Sequence, residues 1–241
     1  MIVSRPFKTV FFDCDSTLVR VEGIDELARL AGASDEVARL TEQAMNGSVP
    51  LEEVYGQRLA ASRPDREALE WLAERYVETV VEGAAEVIAA LHALDKDVHV
   101  ISGGLRAAVE RVAIHLGVPA ARIHAVPVRH DPAGRYAGFD EDAPLARAGG
   151  KIDVCRAVLA NGGRPAAIVG DGATDLEARD ACDAMIGFGG VAAREDVRKG
   201  ADEFVVAASM YPVLARLATE GELARLASSG HRQTVERARS G

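Results

Sequence analysis

From Glu82 onward the apolar residues of this chain alternate between helical and strand spacing, and few folds accommodate that rhythm. Val87, Ile88, Leu91 and Leu94 share one face of a helix over 84–94, and 98–102 then reads as a short buried strand. Leu105, Val109, Val112 and Leu116 give a helix over 105–116 that stops at Gly117, ahead of a strand-like run over 123–128. A helix over 151–160, a strand over 166–169, a short helix after Thr174 and apolar runs at 184–186 and 204–206 continue the pattern. Segment 129–148 interrupts it and predicts a hairpin or loop excursion around Tyr136. Alternation of this kind predicts an α/β fold with a mostly parallel sheet and helices on both of its faces.

One further strand comes earlier. Residues 10–12 form a β-favouring run that ends abruptly at Asp13. The stretch after it is different in texture. Ile24, Leu27, Ala28, Leu30 and Ala31 fall at helical intervals, Ser34-Asp35-Glu36 reads as a helix start, and Asn46-Gly47-Ser48-Val49-Pro50 is a break. Leu51, Val54, Tyr55 and Leu59 mark another helix, and Pro64 opens one more carrying Leu69, Leu72, Tyr76 and Val80. The expected organisation is a core of 1–17 and 81–227, an all-helical cap of 18–80 inserted after the first strand, and a flexible tail of 228–241.

Composition narrows the function. Hydrophobic residues make up 48% and charged residues 27%, which argues against a disordered chain. The net charge of −9 repels phosphate backbones and anionic lipid, so neither nucleic acid nor a membrane is expected as partner. No apolar run is long enough to span a bilayer and no secretory signal follows Met1. Cys14, Cys155 and Cys182 show no zinc-type spacing, and their odd number does not suit a disulfide framework, so reduced thiols and a cytoplasmic location are expected.

Ligands of an open parallel sheet sit beyond the carboxyl ends of its strands. Here those ends read Asp13-Cys14-Asp15-Ser16-Thr17, Ser102-Gly103-Gly104 and Gly170-Asp171-Gly172-Ala173-Thr174-Asp175, with Lys151 opening a helix after Gly149-Gly150. Each piece alone is weak, since Asp-x-Asp, Ser-Gly-Gly and Gly-Asp-Gly all occur as ordinary turns. Their co-occurrence, each at an expected strand end or helix start, is what points to a site. Converging carboxylates repel one another unless a cation joins them, and Mg²⁺ favours such oxygen donors. Lys151 and the N–H groups of the Ser102-Gly103 turn suit a phosphoryl group, and a carboxylate attacking phosphorus forms an aspartyl-phosphate that water hydrolyses. Asp15, two residues from Asp13, is spaced to shuttle the leaving-group proton.

These motifs resemble those of the haloacid dehalogenase superfamily. Val10-Phe11-Phe12-Asp13-Cys14-Asp15-Ser16-Thr17-Leu18 looks like its first motif and Ile101-Ser102-Gly103-Gly104 its second. Lys151 stands for the third, and the stretch from Gly170 to Asp175 is similar to the fourth. Within it, Glu22-Gly23-Ile24-Asp25-Glu26-Leu27, Tyr136-Ala137-Gly138-Phe139-Asp140-Glu141 and Ile186-Gly187-Phe188-Gly189-Gly190 resemble the phosphoserine phosphatase branch. The resemblance implies a Rossmann-like three-layer core with a helical cap, and Mg²⁺-dependent hydrolysis of L-phosphoserine, the last step of serine synthesis. By motif position it makes Asp13 the nucleophile and Asp15 the acid and then the base. Asp13, the Asp15 carbonyl and Asp171 become metal ligands supported by Asp175. Ser102, Gly103 and Lys151 become the phosphate clamp. It gives the substrate ammonium to Glu22 and its carboxylate to Arg58, with Met45 and Thr174 as further pocket positions. Without it, Glu22 and Arg58 read as surface charges. Cys14, small and apolar, is expected to pack inward, and 124–128 departs from the family pattern.

Three rival readings stay open on the residues alone. One passes the phosphoryl group to an alcohol such as homoserine, one hydrolyses another small phosphomonoester, and one binds phosphorylated metabolites without turnover. Either a monomer or a homodimer is compatible with this sequence.

Overall fold

The computed structural model describes residues 6–45 and 51–240. Its centre is a six-stranded parallel sheet of β1 (Thr9–Phe12), β2 (Asp97–Leu105), β3 (Ile123–Val126), β6 (Ala166–Gly170), β7 (Ala184–Phe188) and β8 (Glu203–Val205). The spatial order is β3-β2-β1-β6-β7-β8. The chain builds outward from β1 to one side and then returns to build the other, so the order reverses between β1 and β6. Such a switch point opens a crevice at the strand ends.

Alternation of side chains along the strands explains the three layers. Val10 and Phe12, with Val98, Val100, Ala167, Val169 and Ile186, join one buried cluster. Phe11, with Ile101, Ala166, Ile168 and Met185, joins a second. Successive side chains of a strand point to opposite faces, and both faces here are covered by helices, so the strands read as continuous apolar runs.

Among the described residues, four helices follow β1 before the chain rejoins the sheet layer at residue 81: α1 (Gly23–Ala31), α2 (Ser34–Met45), α3 (Leu51–Ser62) and α4 (Arg66–Glu78). The last begins after Pro64 because Asp65 is the cap, its Oδ1 accepting the Ala68 N–H at 2.8 Å. Where the chain leaves and rejoins the sheet, the two linkers are laced together. Val19 bridges Val80, Arg20 N–H donates to the Thr79 carbonyl at 2.9 Å, and Val81 N–H donates to that of Leu18 at 2.9 Å. Leu59, Leu69, Leu72 and Tyr76 of these helices belong to the same buried cluster as β1.

The rest keeps to the alternating pattern, with α5 (Ala84–Ala93), α6 (Arg106–His115), α7 (Gly150–Leu159), α8 (Ala173–Ala178) and α9 (Glu195–Gly200). The run over 123–128 is not one strand. Pro127 has no N–H to continue the ladder, and β4 (Val128–His130) turns away to pair antiparallel with β5 (Tyr136–Phe139).

After β8 come three helices, the last of them within the stretch 228–241 where a flexible tail is expected from the sequence. These are α10 (Tyr211–Leu217), α11 (Glu220–Ser228) and α12 (Arg232–Ser240). Thr219 and Glu222 cap α11 reciprocally, and α12 buries Thr234, Val235 and Ala238. Only three of the nine residues of α12 face inward, which is why its polar composition hid it. Among the described residues no helix is long and apolar enough to cross a membrane.

Candidate active site

The carboxyl end of β1 delivers Asp13 to the switch-point crevice, its N–H donating to the Val169 carbonyl of β6 at 2.9 Å. Lys151, in the first turn of α7, reaches back to Asp13 Oδ1 at 2.8 Å and to Asp175 Oδ1 at 2.6 Å. All three side chains are buried. Burial opposes a charge on Lys151, yet Asp13 and Asp175 together push its pKa above the ordinary lysine range, so it stays an ammonium. The other oxygen of Asp175 accepts the Gly172 N–H at 3.1 Å. Gly170 makes this packing possible: a Cβ there would lie 2.1 Å from the Asp175 carboxyl carbon.

Asp171, also buried, completes an acidic group. Carboxylate oxygens of Asp13, Asp171 and Asp175 all lie within 4.8 Å of one another. The Thr17 hydroxyl donates to Asp171 Oδ1 at 3.0 Å, and Arg194 Nε donates to Oδ2 at 3.0 Å. Burial first and the Asp13 charge second raise the Asp171 pKa. The donors are hard oxygens without sulfur or imidazole, so the group is able to hold a hard metal ion.

Asp15 points elsewhere. Its Oδ1 accepts the Tyr76 hydroxyl of α4, and its Oδ2 accepts the Gly23 N–H at 3.1 Å. Burial, followed by the Glu22 charge, pushes its pKa up to about 8, while the Tyr76 and Gly23 hydrogen bonds pull it down. Two acids spaced two residues apart therefore have distinct surroundings: one beside an ammonium, one beside a phenol and an amide. Cys14 between them is fully buried, as its size led us to expect.

The remaining positions line one cavity of about 250 Å³, with Asp13, Asp15, Glu22, Arg58, Ser102, Gly103, Lys151, Asp171 and Thr174 all on its wall. Ser102 Oγ accepts the Gly104 N–H at 2.9 Å, inside the last part of β2, where its pairing with β3 shifts register between Ile101 and Leu105 and no separate turn forms. Glu22 accepts from Ser16 at 2.8 Å, and burial raises its pKa. Arg58 donates to Thr41 at 3.4 Å, while its buried Nε has no hydrogen-bond partner. Met45 ends α2, and its side chain lies outside the described residues.

Three participants are not legible in the sequence. Tyr76 counts there only as a core aromatic, and Tyr55 likewise, yet the Tyr55 hydroxyl donates to the Gly103 carbonyl at 2.7 Å. Arg194 belongs to no motif. It spans the crevice from the loop after β7, with Nη2 3.2 Å from Glu22 Oε1. Its position four residues after the Gly189-Gly190 pair is the one local signal of it.

A family model described as haloacid dehalogenase-like hydrolase matches residues 7–183. A human phosphoserine phosphatase is 40% identical over 197 residues, covering 81% of this chain and 88% of its own length. A chloroplastic phosphoserine phosphatase of Arabidopsis thaliana is 40% identical over 203 residues, covering 82% of this chain and 68% of its own. Among solved structures, a phospho-aspartyl intermediate analogue of a phosphoserine phosphatase superposes with a TM-score of 0.74 at 27% identity, over 89% of this chain and 100% of that one. A substrate-bound phosphoserine phosphatase complex gives 0.75 at 26% identity with the same coverage. With its acids at the strand ends and its relatives at this distance, the chain belongs to the haloacid dehalogenase-like hydrolases, in the branch of the phosphoserine phosphatases.

Proposed function

We propose that this enzyme hydrolyses L-phosphoserine to L-serine and phosphate through a covalent phosphoryl group on Asp13. The observation that carries the reading is one cavity wall holding a lysine-paired carboxylate, a phenol-bound carboxyl, and separate cationic and anionic side chains from the helical block. A phosphorylated amino acid needs all four kinds of partner.

In the first half, an Asp13 oxygen attacks phosphorus while Asp15 donates its proton to the departing serine oxygen. In the second, Asp15 accepts a proton from water as that water attacks the aspartyl-phosphate, which frees phosphate and restores Asp13. Lys151, already buried against Asp13, holds a phosphoryl oxygen and offsets charge as it develops. Ser102 and Gly103 supply further donors from the irregular end of β2. Arg58, whose Nε lacks a partner, takes the substrate carboxylate, and Glu22 takes the ammonium. Thr174 and Met45 complete the pocket.

The metal in this reading is Mg²⁺, held by Asp13, Asp171 and the carbonyl of Asp15. Asp175, with both oxygens already engaged, supports them. When bound, the ion supplies charge neutralisation to the phosphoryl oxygens. In this reading the enzyme works in the cytoplasm on a small solute, as a monomer or a homodimer.

The test is phosphate release from phosphoserine, phosphothreonine and phosphoethanolamine, each with and without Mg²⁺. Phosphoserine is expected to lead in kcat/KM, and Asp13→Asn to abolish release while the thermal melt stays cooperative. Substantial turnover by Asp13→Asn refutes the nucleophile.

A further inference from the structure

The Gly103–Gly104 peptide at the end of β2 is held at both of its polar groups. Its carbonyl accepts the Tyr55 hydroxyl at 2.7 Å, and its N–H donates to Ser102 Oγ at 2.9 Å. The carbonyl and N–H of a trans peptide point in opposite directions, so Tyr55 and Ser102 grip one rigid plane from opposite sides. Tyr55 comes from α3 of the helical block, 48 residues before its partner. Its ring is buried and lies against Phe139 of β5, with centroids 5.2 Å apart at 57°. Burial raises the pKa of the phenol, so the hydroxyl keeps the proton it donates.

That plane needs holding. Neither flanking residue carries a Cβ, and a peptide between two glycines turns over at little steric cost. Space requires both glycines: a Cβ at Gly103 would meet the Leu145 carbonyl oxygen at 3.3 Å, and one at Gly104 would meet Ser102 Oγ at 3.0 Å. In the observed orientation Ser102 Oγ is the acceptor for Gly104, which leaves its own proton to donate. Ser102 and Gly103 both line the cavity that holds Asp13 and Lys151. Turned over, the plane would present the Gly103 carbonyl to Ser102, and that carbonyl would take the hydroxyl proton instead.

We propose that Tyr55 is a positioning residue: its hydroxyl fixes the Gly103–Gly104 plane, and through it keeps the Ser102 hydroxyl available to a phosphoryl oxygen. This deepens the function proposed above and rests on its phosphate clamp. Tyr55 acts through Ser102 rather than on the substrate, and it brings a contact from the helical block to bear on the end of β2. Removing the hydroxyl leaves the carbonyl unpaired and the plane free to turn, a loss worth roughly five- to a hundredfold. The loss falls on the phosphoryl end alone. It therefore weakens every small phosphomonoester alike, unlike the loss of Arg58.

The test compares the full-length protein with Tyr55→Phe, which keeps the ring and removes the hydroxyl. Calorimetric titration with inorganic phosphate in the presence of Mg²⁺ should show Kd raised roughly five- to a hundredfold. kcat/KM should fall by a similar factor for phosphoserine and phosphoethanolamine alike, while the thermal melt stays cooperative. Ser102→Ala and the double variant complete a cycle: once the Ser102 hydroxyl is gone, removing that of Tyr55 should weaken phosphate by less than about twofold. A phosphate Kd within about twofold of the parent in Tyr55→Phe overturns the role, whatever happens to Tm. So does a loss confined to phosphoserine, which would place the hydroxyl at the amino-acid end. Losses that simply add in the double variant also overturn it, because Tyr55 would then act independently of Ser102. Titration needs no turnover, so the two readings fail separately. A parent that binds phosphate yet hydrolyses none of the phosphoesters refutes the proposed function, and the phosphate cycle still decides the role of Tyr55.

Discussion

The Tyr76 hydroxyl reaches Asp15 from a helix 61 residues further along the chain, and Tyr76→Phe removes that hydroxyl alone. The ring is fully buried and would keep its packing against Leu72 and the other core residues. What is lost is a hydrogen bond that favours the ionised form of Asp15. A hydrogen bond to a charged group is worth roughly 1.5–3 kcal/mol, about ten- to a hundredfold. Burial and the Glu22 charge already push this carboxyl to about 8, and without Tyr76 the proton is held more tightly still. The two half-reactions then part company. Asp15 as acid is already protonated and loses little, whereas Asp15 as base must become ionised to accept the proton of water. Rapid-quench kinetics should show a burst of serine equal to the enzyme, then phosphate release slowed by roughly ten- to a hundredfold. A steady kcat within twofold of the parent, or a slower enzyme with no serine burst, refutes the reasoning.

Arg58→Ala should weaken phosphoserine by about ten- to a hundredfold in kcat/KM while barely changing phosphoethanolamine, which has no carboxylate. Equal losses on both substrates would show that Arg58 reads something else. Gly170→Ala places a methyl 2.1 Å from the Asp175 carboxyl carbon; it should cost about 1–3 kcal/mol by denaturant titration and more than tenfold in kcat as the Lys151–Asp175 pair is displaced. On β2 and β3, His99 Nδ1 and His124 Nε2 meet at 3.2 Å, with Asp97 and Arg122 beside them. Burial and then His99 push the His124 pKa down from 6.5 to about 4. The unfolded chain therefore binds the extra proton first, so stability is fully present above about 6.5 and is lost as pH falls toward about 4. Urea midpoints measured across that window should fall with pH, and His124→Leu should flatten the slope; an unchanged slope would remove His124 from the account.

How much could be read without coordinates depended on distance along the chain. Strand and helix periods around residues 84–206 emerge from windows of ten residues, and they set the order of elements along the sheet-forming part of the chain. Asp13, Asp15, Ser102, Lys151 and Asp171 were legible because each sits at an abrupt end of an apolar run or at a helix start, where a side chain must leave the core. The last three helices were harder. Their apolar residues are few, and the burial of Val235 and Ala238 depends on α12 meeting the rest of the fold.

What the sequence by itself determined is the local grammar: apolar strands of a few residues, the acids that end them, the helical block after the first, and the motif order that ties them to one family. Only the tertiary structure decided which groups touch. Tyr76 finds Asp15 across 61 residues, and Arg194 finds Glu22 across 172. The physical reason is that spacing fixes where a side chain points on its own element, whereas a hydrogen bond or an ion pair also needs the partner element brought within about 3–4 Å. That last step belongs to the packing of the two buried clusters, and no local pattern encodes it.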